Sequence, residues 1–339
     1  MKRILLADLL KGIAAFFMVQ IHITELFIDN AGRESLPGQI SLFLGGPFAA
    51  VVFMLVMGYF LAKNRRSPLQ NMLRGVKIFI LGFILNIGLN FHLLLKIKFS
   101  DWQFNPLEFI FGVDILFLAG LSILLLSALK FFKKGQALIA LLLLISILTL
   151  SGSMNQKLIV SDHYYILPFI AGNYSWSYFP LFPWLAYPLA GYIFALQEEN
   201  FSRFLSQQKM IAGSVLVAIA VMVALFFKSG FITTIDLPLY YHHTIGYAVW
   251  ALGLITLWVF LLQLFLKYFS STRVSDFICW TGRNITIFFI IQWLIIGNIS
   301  TAIYQTVDMQ YFAYYLACIY ALTVLLTFLF EKTKIRLPV

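Results

Sequence analysis

Long apolar runs, separated by short polar or basic stretches, dominate the chain. A helix that crosses a bilayer needs about 20 mostly apolar residues. Ten segments fit that pattern: 4–28, 38–62, 72–95, 106–129, 136–152, 179–196, 210–228, 241–266, 284–305 and 311–330. The fifth and sixth are short, and the sixth, FPLFPWLAYPLAGYIFAL, carries Pro180, Pro183 and Pro188. Proline deep in a helix removes a backbone hydrogen bond and kinks the helix. No internal repeat or low-complexity linker breaks the series. The expected fold is therefore all-α: a polytopic integral membrane helix bundle of about ten transmembrane helices, with residues 1–339 as a single domain. The opening stretch MKRILLADLLKGIAAFFMVQ imitates a signal peptide, but Asp8 and Lys11 interrupt its apolar part and no small-x-small cleavage site follows. It is expected to stay as the first span.

Composition narrows the class further. Apolar and aromatic residues make up 61% of the chain and charged residues 11%, with a mean hydropathy of +0.89. Those values exclude a soluble enzyme, a disordered chain and a small disulfide scaffold. The two cysteines, Cys279 and Cys318, do not make a disulfide framework. A net charge of +10 would suggest nucleic acid in a soluble protein. Here the basic residues cluster between spans, so the lipid bilayer is the expected partner and nucleic acid is not.

The same residues set the expected orientation. With the N-terminus inside, inner segments hold 18 Lys and Arg: Lys2, Arg3, Lys63, Arg65, Arg66, Arg74, Lys77, Lys130, Lys133, Lys134, Arg203, Lys209, Lys267, Arg273, Arg283, Lys332, Lys334 and Arg336. Outer segments hold five: Arg33, Lys96, Lys98, Lys157 and Lys228. By the positive-inside rule both termini are expected in the cytoplasm. His22, His92, His163, His242 and His243 then all fall in the outer half, as does the aromatic loop near 153–178.

The first span holds the most chemistry. Ionisable residues inside a membrane are costly and are functional candidates by default. Asp8, Lys11, His22 and Glu25 all lie in this span. Asp8 and Lys11, three apart, can pair. Lys11 and His22, eleven apart, share a helix face to within about 20° with a rise of about 16 Å between them. Glu25, three beyond His22, can orient or polarise its ring, or can sit at the outer interface.

Asp8-Leu9-Leu10-Lys11-Gly12 followed by His22 resembles the D-x-x-[RK]-G…H start of the transmembrane acyltransferases, a group that includes acyltransferase 3 and the heparan-α-glucosaminide N-acetyltransferases. More of the chain resembles the glucosaminide branch. The matching segments are Leu73-Arg74-Gly75 with Leu81-Gly82-Phe83-Ile84-Leu85-Asn86, then Val113-Asp114-Ile115-Leu116 with Gly120, then Phe179-Pro180-Leu181-Phe182-Pro183-Trp184 with Gly191, and Gly282-Arg283-Asn284 before Gln292. These run from Asp8 to Gln292, nearly the whole chain. Two departures stand out: Lys11 occupies a place where Arg is common, and the large extramembrane domain of some relatives is absent.

The resemblance implies transfer of an acyl group, usually acetyl, from cytoplasmic acetyl-CoA to a hydroxyl or amine of a sugar or glycan on the outer side, in the inner membrane of a bacterium. No metal is implied, and a homodimer is one open arrangement. On this reading His22 is the catalytic base or takes the acetyl group itself. Asp114 orients it or is a second acid/base, Glu25 assists the ring, and Asn86 donates to the thioester oxygen or the oxyanion. His22, Asn86 and Asp114 lie at similar depth below the outer ends of three spans. The phosphates of CoA need a basic mouth, for which Arg65, Arg66, Arg74, Lys133, Lys134, Arg273 and Arg283 are available. Lys11, paired with Asp8, meets the phosphates or the pantetheine arm, and Asn284 belongs to the same donor-binding set.

On the outer side, His242, His243, Trp176 and Trp184 are candidate acceptor contacts, with Tyr174 and Tyr178 as further stacking rings. An interfacial aromatic belt explains the rings equally well. Adjacent histidines on a helix point apart, so no metal site is expected from His242 and His243. Two other function classes compete: a secondary transporter, because proline-interrupted spans and midplane charges are transporter features, and a non-catalytic membrane subunit for polysaccharide export.

Overall fold

The computed structural model describes residues 5–100, 102–132, 134–157, 164–268 and 272–333. Lys2, Arg3, Lys133, His163, Lys334 and Arg336 lie outside them. The longer helices are α1 (Leu5–Leu26), α2 (Leu36–Gly45), α3 (Val52–Lys63), α4 (Pro68–Leu89), α5 (Phe91–Phe99), α6 (Ile115–Leu129), α7 (Gln136–Lys157), α8 (Ala186–Gln207), α9 (Lys209–Leu225), α10 (Phe227–Ile235), α11 (Ile245–Tyr268), α12 (Arg273–Arg283), α13 (Ile285–Ile303) and α14 (Phe312–Lys332). Among the described residues β pairing is confined to two isolated bridges, Ile28–Val307 and Val113–Ser177. The protein is an all-α polytopic membrane protein.

The ten apolar segments are largely helical, but fewer than ten are found as spans among the described residues, and 106–129, 179–196 and 241–266 include non-helical residues. Among the described residues, seven stretches are long and apolar enough to span on their own: Leu5–Leu26, Leu36–Lys63, Pro68–Leu89, Gln136–Met154, Ile245–Tyr268, Ile285–Ile303 and Met309–Lys332. Leu181–Gln207 and Lys209–Leu225 qualify only as a pair, bent by 108° at their junction. Thus α8 runs on through Glu198, Glu199 and Arg203, where the sequence pattern predicts a loop.

The segment 106–129 is not one helix. Pro106–Ile110 forms a short helix capped by the Asn105 side chain, and α6 begins only at Ile115. Asp114 has extended backbone and accepts the Ile115 amide at 2.6 Å, so it is an N-cap rather than a mid-helix residue. Here the main chain bonds elsewhere. The Val113 amide donates to the Trp176 carbonyl (2.7 Å), and the Val113 carbonyl accepts from Tyr178 and Phe179. Short polar caps favour helix starts because they satisfy amides that have no partner within the helix.

The chain divides by internal contact into two compact units. One comprises 51–80 and 113–262, and the other 2–50, 81–112 and 263–339. In the first, α8 packs on α3 and α7, around a core that includes Trp184, Tyr187, Trp250 and Phe117. In the second, α1 packs on α2, α12, α13 and α14, with Leu9, Val19, Ile23 and Phe288 buried.

Within each unit, helices cross closely at glycines. A Cβ at Gly282 of α12 would stand 2.0 Å from the Asp8 carbonyl oxygen, and one at Gly12 of α1 would stand 1.9 Å from that of Ile278. Gly58 and Gly191 do the same for α3 and α8. Small residues let helix backbones approach closely, where packing and interhelical bonds replace the missing hydrophobic drive. Gly282→Ala is therefore expected to force α1 and α12 apart and destabilise the fold by about 1–3 kcal/mol. Gly213→Ala on α9, which meets nothing within 4 Å, should be harmless. Thermal unfolding of the two variants in detergent checks this. Equal melting temperatures would show that the crossing tolerates a methyl group.

Candidate functional site

Helix α1 presents polar or small residues to three of its four neighbours. Toward α2, the Gln20 amide donates to the Ser41 carbonyl oxygen (2.9 Å) and the Thr24 and Ser41 hydroxyls meet at 2.6 Å. Toward α12 it presents Gly12. Toward α13 it presents His22, whose Nδ1 lies 3.1 Å from Oε1 of Gln292. The ring of Trp293 covers the imidazole at a centroid distance of 4.0 Å and an interplanar angle of 32°. An amide oxygen can only accept, so Nδ1 carries the hydrogen, and in the neutral imidazole Nε2 then keeps its lone pair. Among the described residues nothing is hydrogen-bonded to Nε2. Gln292 Nε2 and Trp293 Nε1, on the two residues that touch the imidazole, are buried donors with no hydrogen-bond partner. A neutral imidazole with an open Nε2, touched by residues that carry unspent N–H donors, suits proton transfer at a carbonyl centre.

At the other end of α1, Lys11 Nζ and Asp8 Oδ1 form the expected pair at 3.1 Å. Because α1 is continuous from Leu5 to Leu26, Lys11 and His22 stay on nearly one face, about 16 Å apart along the axis. The Gly282-Arg283-Asn284 segment closes α12 here. Gly282 abuts Asp8, Arg283 is exposed, and Asn284 caps the helix with its side-chain amide on the Trp280 carbonyl oxygen (3.2 Å). The capping box of Thr272 and Ser275 starts the same helix. Glu25 lies a turn beyond His22 on α1. Asn86 does not face a substrate with its amide. Both of its hydrogens are spent on carbonyl oxygens, Ile110 at 2.9 Å and Gly112 at 2.8 Å, so it pins that turn.

The other unit holds the remaining candidates. Asn64 and Asn71 form a reciprocal amide pair (3.1 Å each way). Lys130 Nζ donates to the Asn64 carbonyl and side-chain oxygens at 3.1 and 3.0 Å. This staple fixes the turn that presents exposed Arg65 and Arg66. Arg74 lies close enough to Arg66 for mutual repulsion, and its Nε is buried without a hydrogen-bond partner. Like charges held together around an unspent donor make a seat for an anion.

Asp114 is buried, with Oδ2 unpartnered. His243 is structural. Its Nδ1 must donate to the Tyr240 carbonyl oxygen and its Nε2 must accept from the Tyr187 hydroxyl, both at 2.8 Å, and burial pushes it down to about 3. His242 is lowered by burial to about 4 and is hydrogen-bonded to the Tyr174 main chain. Trp184 is fully buried and donates to the Tyr241 carbonyl oxygen at 2.8 Å. Trp176 is buried against Tyr174. Both tryptophans are buried, whereas Tyr178 and Tyr164 are exposed.

Comparison with known proteins decides the family. Residues 6–332 match the acyltransferase 3 family model, described as an acyltransferase domain. The chain belongs to the acyltransferase 3 family. Neither the curated proteins nor the solved structures contain a significant match. A match over nearly the whole chain makes this an integral, multi-pass membrane acyltransferase, which sets aside the transporter and accessory-subunit readings. The sequence singled out His22, Lys11 and Asp8. It did not assign Gln292 a role, although Gln292 ends the late motif, because the partnership joins positions 270 residues apart.

Proposed function

We propose that this acyltransferase moves an acetyl group from cytoplasmic acetyl-CoA to a hydroxyl or amine of a sugar or glycan on the far side of a bacterial inner membrane, in the manner of the glucosaminide N-acetyltransferases it resembles. The observation that carries the proposal is His22. It is an intramembrane histidine on the first helix, held with hydrogen on Nδ1 and with Nε2 open.

The chain's residues divide the work. In one unit Lys11 and Arg283 suit the arm and phosphates of CoA, and in the other the exposed Arg65 and Arg66 with the unspent Nε of Arg74 are a separate anion-binding candidate. The donor supplies the activated acyl carbon. His22 takes the proton of the acceptor hydroxyl or amine as the acceptor bonds the acyl carbon, the carbon–sulfur bond breaks, and the proton passes on to the departing thiolate. A variant of the same scheme has Nε2 take the acyl group first. Incubation of purified protein with labelled acetyl-CoA tests the proposal: CoA release or label on histidine supports it, and neither would sink it.

The orientation rests on the 18-to-5 charge bias, with both termini inside. In a Cys318→Ala background, a cysteine at Ser67 is expected to react with a membrane-impermeant maleimide only from the cytoplasmic side, and one at Ser100 only from outside. Both positions are exposed. Outside labelling at Ser67 would reverse donor and acceptor faces.

A further inference from the structure

We propose that Gln292 is a working residue of the transfer site. Its side-chain oxygen holds His22 in the tautomer that can act as base, and its side-chain nitrogen donates a hydrogen bond to the carbonyl oxygen of the acyl group. The inference rests on the acyl-transfer reading and adds a residue and two roles to it.

The geometry divides the two ends of one amide. Oε1 sits 3.1 Å from His22 Nδ1 and accepts its hydrogen, which leaves the lone pair on Nε2. Trp293 stacks on the imidazole and fixes its plane. A stacked ring can still flip by half a turn, exchanging its nitrogens, and the hydrogen bond to Oε1 prevents that. The other end of the amide is unspent. Gln292 is fully buried, and its Nε2 has no hydrogen-bond partner. A buried donor without an acceptor is costly and uncommon. Retained beside a candidate base, it calls for an acceptor atom brought by a ligand. A thioester or ester carbonyl oxygen is such an atom, and it gains negative charge as the acceptor attacks, so the bond strengthens in the transition state. Gln292 itself exchanges no proton or electron pair. The acceptor's proton goes to Nε2 of His22 and on to the thiolate, and the carbon–sulfur bond is exchanged for a carbon–oxygen or carbon–nitrogen bond.

Two variants separate the roles. Gln292→Glu keeps an oxygen acceptor for Nδ1–H and loses the amide donor. Its kcat is expected to fall on the order of a hundredfold, with the KM for acetyl-CoA within a few-fold. Gln292→Met is of similar length and loses both ends, so kcat falls further. Nitrogen-15 NMR of labelled histidine in detergent, with the His22 signal identified by its loss in His22→Ala, is expected to show hydrogen on Nδ1 in the wild type and in Gln292→Glu. In Gln292→Met it should move to Nε2 or to a mixture. A purely structural glutamine would change the folded fraction but neither kcat per folded molecule nor the tautomer. Wild-type kcat in Gln292→Met, or an unchanged His22 tautomer in that variant, overturns the proposal. A tautomer shift in Gln292→Met together with no acyl transfer by the wild type would instead overturn the acyl-transfer reading.

Discussion

His22→Ala is expected to abolish acyl transfer while leaving the affinity for CoA within a few-fold. On the proposed scheme the two quantities separate, because Nε2 would act on the acceptor proton and the acyl carbon, which matter in the transition state, whereas the phosphates and arm of the donor would meet other residues. A group used only in the transition state lowers kcat and kcat/KM together and spares ground-state binding. General-base catalysis alone contributes typically about 10²–10⁴-fold, and loss of an acyl carrier would remove the route altogether. Packing should survive. The imidazole is only half-buried, its hydrogen bond is to one side chain, and α1 is held to its neighbours through Gly12, Gln20 and Thr24. Isothermal titration with CoA, alongside turnover of labelled acetyl-CoA, reads both effects. More than a tenth of wild-type turnover in His22→Ala would remove His22 from the chemistry.

Much of the fold is legible from local pattern, because a span is a property of some twenty consecutive residues and the bilayer fixes their character. The breaks are less so. Asp114 sits in an apolar stretch, yet the chain leaves the helix there because the Val113 main chain finds partners in the 176–179 loop. That is a contact across more than sixty residues, with no trace in the spacing. The opposite error arises at 197–207, where Glu198, Glu199 and Arg203 look like a loop. Glu198 pairs with Lys63 at 2.6 Å and accepts from the Tyr59 hydroxyl, so the helix continues beyond its apolar part.

The site divides the same way. Asp8 and Lys11 pair through helical spacing alone and are readable from it. Asn86, His243 and Trp184 are polar or aromatic residues whose hydrogen-bonding capacity is consumed inside the protein, and only the structure shows which acceptors take it. Several motif positions turn out to be crossings: Gly12, Gly191 and Gly282 each bring one helix backbone against another. Part of what makes the chain recognisable is therefore packing geometry rather than chemistry.

Lys11→Met is expected to weaken CoA binding about tenfold to a hundredfold, the equivalent of one charge-assisted hydrogen bond of roughly 1.5–3 kcal/mol. Lys11→Arg should retain much of it, since the charge stays even though the shape changes. Methionine keeps the apolar stem, so insertion and helix packing are preserved. The competing account is that Lys11 serves only to neutralise Asp8, 3.1 Å away with both side chains largely shielded from solvent. Removing one partner of a shielded pair leaves the other charge uncompensated and destabilises the fold, whereas removing both relieves it. The double change Asp8→Asn with Lys11→Met therefore discriminates. If Lys11 only pairs with Asp8, the double variant regains both melting temperature and CoA affinity. If Lys11 holds the donor, the double variant regains melting temperature alone, because nothing else on that face of α1 replaces the cation that the phosphates or the arm would meet. Calorimetry with CoA on the single and double variants reads the difference, and full affinity in the double variant would end the donor-binding role.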